Sequence, residues 1–223
     1  LVFFNQKHKK VEMAEKHLFQ SKFLHESNMK YCEIFKNLPK EGLEPRQFLR
    51  HCFDIAELTP RELLEEETDS QYRKKCITVL CAVLGVQRPT VRKWGSDLNF
   101  DGIPNYSKVS LAYIHAAEIV PKQLKSILRG EYNAPEVNAQ TFLEKILLEG
   151  LSEQQVLQTV SHANFRASCV KTLTQVLHIG TKSVQDWGQD MSFHKMPKIH
   201  KHTLGYALAA ISKSSSKNLQ KAA

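Results

Sequence analysis

The sequence predicts an all-α protein made of two tandem repeats of a small helical domain, each containing a helix-turn-helix. Apolar residues recur at helical spacing along nearly all of its 223 residues, and strand-like alternation is scarce. No Asn-Gly or Asp-Gly pair sits between two β-rich runs; Asp101-Gly102 lies in a loop ahead of Ile103-Pro104. Residues 58–118 align on 151–211 without a gap, with 18 identities in 61 positions. They include Arg73/Arg166, Cys76/Cys169, Leu80/Leu173, Val91/Val184, Trp94/Trp187, Phe100/Phe193 and Tyr113/Tyr206. Most are apolar or lie at turns, so the repeat speaks for a shared core more than for a shared function.

The elements follow in order. Residues 5–36 set Val11, Leu18, Phe19, Phe23 and Ile34 among Lys and Glu, an amphipathic helical stretch with no counterpart after the linker. With the turn at Leu38–Gly42 it forms an N-terminal helical segment, 1–42, expected to pair chains into a homodimer. The first repeat domain, 43–130, begins with a helix over 46–56. Thr59-Pro60-Arg61-Glu62 then reads as a capping box with proline at the first helical position. Helices follow over 70–83, 88–95, 107–119 and 121–130, the last ended by Gly130. Residues 131–138 are the linker, and the scheme restarts in the second repeat domain, 139–211, where Ser152 and Gln155 repeat the capping box. The tail 212–223, SKSSSKNLQKAA, is basic and lacks apolar periodicity, so it is expected to be disordered.

Composition sets the class of partner. Apolar residues make up 42 %, enough for a sizeable core, and the net charge is +8. A basic surface favours polyanions. The five cysteines are odd in number and form no Cys-x-x-Cys pair, which fits reduced, buried thiols in a cytoplasmic protein. No apolar run approaches a membrane span, and LVFF is too short for a signal-peptide core. His194, His200 and His202 lack a further ligand at metal spacing and are expected on a solvated loop. No phosphate loop, dinucleotide fingerprint or nucleophile with a base is present, so neither a cofactor nor catalysis is expected.

The middle of each repeat carries the functional signal. Leu84-Gly85-Val86 provides a tight turn, and Val91 and Trp94 bury the stripe of a second helix. That leaves Gln87, Arg88, Thr90, Arg92 and Lys93 facing outward. Arg and Gln read base edges, while Lys and Thr hold phosphates. The pattern Leu-Gly-Val-x-x-x-Thr-Val-x-x-Trp resembles the helix-turn-helix superfamily of phage and bacterial transcription regulators. The resemblance covers about 25 residues per repeat and implies that 88–94 and 181–187 enter the major groove.

Arg73 and Lys74 extend the first candidate face, which has no acid from Gln71 to Gly95. In the second unit Thr181, Lys182, Ser183 and Gln185 face outward, backed by Arg166 and Lys171. Asp186 stands there in place of Lys93, and His178 in place of Gly85. The reading is a sequence-specific double-stranded DNA-binding protein, nucleoid-associated, serving transcription or plasmid or phage maintenance. The alternatives are a helical protein-interaction adaptor and a non-specific nucleic-acid coat.

Overall fold

The structure, a computed structural model, describes residues 35–222, with side chains to Ser216. Among these residues it is all-α and has no strand. The amphipathic stretch 5–34, and with it the expected dimerisation element, lies outside the described residues.

The first repeat contributes α1 (Pro45–Cys52), α2 (Pro60–Thr68), α3 (Tyr72–Leu84), α4 (Arg88–Arg92), α5 (Asn105–Ala116) and α6 (Ile119–Arg129). The second contributes α7 (Ala139–Leu143, continued by a π turn over Glu144–Leu148), α8 (Glu153–Val160), α9 (Phe165–Leu177), α10 (Thr181–Gln185) and α11 (Lys198–Ala222). Helices α2 to α5 and α8 to α11 start 93 residues apart, element by element. Both capping boxes form, on Thr59/Glu62 and Ser152/Gln155.

The unusual backbone recurs too. Phe100 and Phe193 have φ of +52° and +43°, and Gly95 and Gly188 have +146° and +142°. Gly102 N donates to Trp94 O at 2.7 Å, and Lys195 N to Trp187 O at 3.0 Å. Two sequences only partly identical thus build the same loops, because the residues that bend the chain are the ones retained.

The stretches read as two domains fall within one compact unit, Leu38–Ala223. Its centre is the pair α5 and α11, lying side by side and running in the same direction. Tyr106 faces the His200 ring at 5.1 Å, the Ser110 and Thr203 hydroxyls bond at 2.7 Å, and Lys213 reaches Glu118 at 2.9 Å. Further contacts are reciprocal. Tyr113 Oη donates to Val176 O at 2.9 Å, and Tyr206 Oη donates to Val83 O at 2.8 Å. Each bond becomes the other when both residues move by one repeat. That is the signature of a twofold interface, here inside one chain.

The linker 131–138 lies against α11. Val137 N donates to Lys201 O at 3.1 Å, and His202 Nδ1 sits 3.0 Å from Pro135 O. Gly205 allows this approach, since a Cβ there would stand 2.8 Å from Pro135 O.

The repeats part company at their ends. Glu118 takes a left-handed φ of +53° and folds α6 back from α5, whereas α11 runs straight through the matching position. The tail expected to be disordered is therefore helical to Ala222. Its Ser214, Ser215 and Ser216 hydroxyls bond back to the carbonyls of Ile211 and Ser212, as serines within a helix do. Two of the three histidines also depart from expectation. His200 and His202 are buried on α11, against Trp187 and Gly85 respectively; only His194 is exposed.

Candidate nucleic-acid interface

The first face is built by α3, its turn and α4. Gly85 ends α3 with φ +65° and its N–H returns to Cys81 O. A Cβ there would lie 2.8 Å from His202 Cδ2, so both conformation and space demand glycine. The chain leaves the turn through an extended Gln87, and α4 starts with Pro89 in its first turn. Val91 is fully buried and Trp94 is 7 % exposed. Five side chains remain outside: Gln87, Arg88, Thr90, Arg92 and Lys93 are all exposed, as are Lys74 and Lys75 on α3.

Helix α4 stops at Arg92, short of the expected end at 95. The carbonyls just beyond it are taken by other elements: Gly102 N donates to Trp94 O, and the Arg73 guanidinium to Gly95 O at 2.6 Å. Helix α10 stops at Gln185 in the same way, with Lys195 N on Trp187 O and Arg166 Nη2 on Gly188 O. Arg73 and Arg166 are thus clamps between α3 or α9 and the loop after the short helix. Arg73 also sits 5.5 Å over the Phe100 ring, and Arg166 4.3 Å over Phe193. Arg166 Nη1 donates further to Asp190 O at 2.7 Å. Both residues, read from the sequence as part of the outward face, are half-buried in the scaffold.

Arg88 and Arg92 both bear on α3. Arg88 Nη2 donates to Thr78 Oγ1 at 3.2 Å, and Thr78 Oγ1 donates to Lys74 O one turn earlier on α3. Burial pushes the Cys81 thiol up, while the nearby Arg88 and Arg92 charges pull it down. Arg88 therefore reaches back to α3 at Thr78, the Arg88 and Arg92 charges bear on Cys81, and the surface between α3 and α4 is cationic.

The matching α9–α10 groove is open. It encloses about 1010 Å³, with Lys171, Thr174, Lys182, Gln185, Asp186 and Gln189 among its walls. Thr174 Oγ1 is buried there without a hydrogen-bond partner. Val184 is fully buried and Trp187 is 7 % exposed, as Val91 and Trp94 are, while Thr181, Lys182, Ser183, Gln185 and Asp186 are exposed. His178 holds the left-handed turn position with φ +51°, where the first repeat has Gly85. Sequence reasoning missed Thr78, Thr174 and Gln189; Thr78 was findable as the residue one turn after Lys74.

Cys52, Cys76 and Cys169 are free and buried; burial pushes the Cys76 thiol up to about 12 and the Cys169 thiol to about 11. No cluster of three or more His, Cys, Asp or Glu among the described residues is arranged to hold a metal. None of the described helices is long and apolar enough to cross a membrane. Comparison with family models, curated proteins and solved structures found no match to the chain.

Proposed function

We propose that α3–α4 and α9–α10 are helix-turn-helix units and that the chain binds double-stranded DNA sequence-specifically. It would then serve as a transcriptional regulator or a plasmid or phage maintenance factor at the nucleoid. The observation that carries this is the division of α4. Val91 and Trp94 anchor it from within, and Gln87, Arg88, Thr90, Arg92 and Lys93 are all left on the solvent side. Cations there release counterions from phosphates, and the outward polar side chains of the two units can reach base edges. The protein acts in this reading by occupying the duplex, not by chemistry.

Fluorescence anisotropy with a labelled duplex tests it. The chain should bind at low salt, and Arg88→Ala with Arg92→Ala should weaken binding at least tenfold. No binding at low salt would remove the proposal and leave the adaptor reading. One observation favours that second reading: Leu64 and Leu157, at matching positions of α2 and α8, are 62 % and 67 % exposed. The exposure is retained at the same place in both repeats, and a partner protein would cover it.

A further inference from the structure

The two repeats share a scaffold but not a surface. Five cationic positions of the first face, Lys74, Lys75, Arg88, Arg92 and Lys93, correspond to Ala167, Ser168, Thr181, Gln185 and Asp186 in the second. The second face thus exchanges every one of those cations for a small or polar residue, and gains an acid. Lysines return only at two other places, Lys171 and Lys182, flanking the groove.

The geometry diverges with the charge. Arg88 reaches back to Thr78, and the Arg88 and Arg92 charges bear on Cys81, so the first groove is lined by cations. Thr181 and Gln185 are too short to do the same, and the α9–α10 groove stays open, with Gln185 and Asp186 on one wall. Phosphate affinity scales with the cations brought to the backbone, and carries no sequence information. Discrimination needs directional donors and acceptors: a glutamine amide offers both to adenine, and a carboxylate accepts from the cytosine amine while being repelled by phosphate.

Resting on the DNA-binding reading, we infer that the repeats divide the labour. The first repeat supplies the salt-dependent grip on the phosphates, and the second supplies the sequence discrimination, through Gln185 and Asp186 on α10. The specificity of the chain therefore resides in the less basic half. A twofold scaffold makes this workable, because both units hang on the same α5–α11 pair.

The test compares a duplex selected by the chain with a scrambled duplex of equal length, across a salt series, for the full chain and two double variants. Arg88→Ala with Arg92→Ala should weaken binding to both duplexes alike and reduce the slope of log K against log salt by about 2. Gln185→Ala with Asp186→Asn should leave that slope unchanged and cut the selected-to-scrambled ratio about tenfold or more. All four side chains are exposed, and unchanged thermal melting shows that each variant is folded. Loss of discrimination in the arginine variant, or its retention in the Gln185/Asp186 variant, overturns the division of labour while DNA binding stands. A wild-type chain that binds every duplex equally overturns it as well. Failure of the wild-type chain to bind any duplex overturns the DNA-binding reading itself.

Discussion

The hydroxyls of Ser110 and Thr203 share a 2.7 Å hydrogen bond in the buried centre of the protein, and they occupy the same position of the two repeats. A residue meets its own counterpart only at a twofold axis. The duplicated chain is therefore folded as an intramolecular dimer, with Tyr113 and Tyr206 each crossing to the other half. Sequence identity at Tyr113/Tyr206 is explained by this crossing, since each phenol satisfies a carbonyl near the end of the opposite α3 or α9.

Tyr113→Phe and Tyr206→Phe should each destabilise the fold by about 1–3 kcal/mol, the cost of leaving a buried carbonyl unpaired. Urea denaturation of the two variants measures this. Both should lose stability, Tyr206→Phe at least as much, since its hydroxyl also bonds Tyr132 Oη at 3.1 Å; no loss in either would contradict the twofold interface.

His178 holds a left-handed turn that the first repeat gives to Gly85. A Cβ in that region is strained, so His178→Gly should stabilise the protein by roughly 0.5–1 kcal/mol and raise Tm. The reverse change, Gly85→Ala, meets both the positive φ and the His202 ring, and should cost about 2 kcal/mol or more. A drop in Tm for His178→Gly would show that its imidazole makes a compensating contact.

His200 lies between Tyr106 and Trp187, and burial lowers its pKa to about 4. The unfolded chain, with a histidine near 6.5, binds a proton that the folded chain refuses. Stability should thus be full above about pH 6.5 and fall as pH drops toward 4, by about 3 kcal/mol. Glu67 acts in a lower window. Burial opposes its ionisation, but hydrogen bonds from Arg46 and Arg50 win and hold its carboxyl at about 2. Its contribution persists above about pH 4.3 and is lost from there toward pH 2. Urea midpoints from pH 7 to 4 should flatten in His200→Phe; an unchanged pH profile would show that other groups control it.

Arg166→Ala should cost about 2 kcal/mol, because it removes charge-assisted bonds to Gly188 O and Asp190 O and the packing on Phe193. Lysine cannot restore a planar fork, so Arg166→Lys should recover little. Differential scanning calorimetry checks this. Duplex affinity of the folded variant should stay within a few fold of wild type, since the guanidinium is spent inside the protein.

Much of the scaffold was legible from local chemistry. The capping boxes at Thr59 and Ser152 name their own helix starts, and Val91 and Trp94 declare a buried stripe by spacing alone. What the sequence hides is long-range. Nothing local says that Arg73 and Arg166 spend their guanidinium groups on a carbonyl 22 residues on, so they read as outward cations. His200 and His202 read as solvated for the same reason: the partners that bury them, Trp187, Tyr106, Pro135 and Gly85, come from other elements. The helical course of 212–222 has no apolar period to announce it, and is inherited from the α11 it extends.

Selection from random duplex DNA with the full chain tests the central claim most directly. The account predicts an enriched motif, with the first repeat gripping phosphates beside it, and binding that weakens steeply as salt is raised. No enrichment together with no retention of duplex at low salt would contradict it.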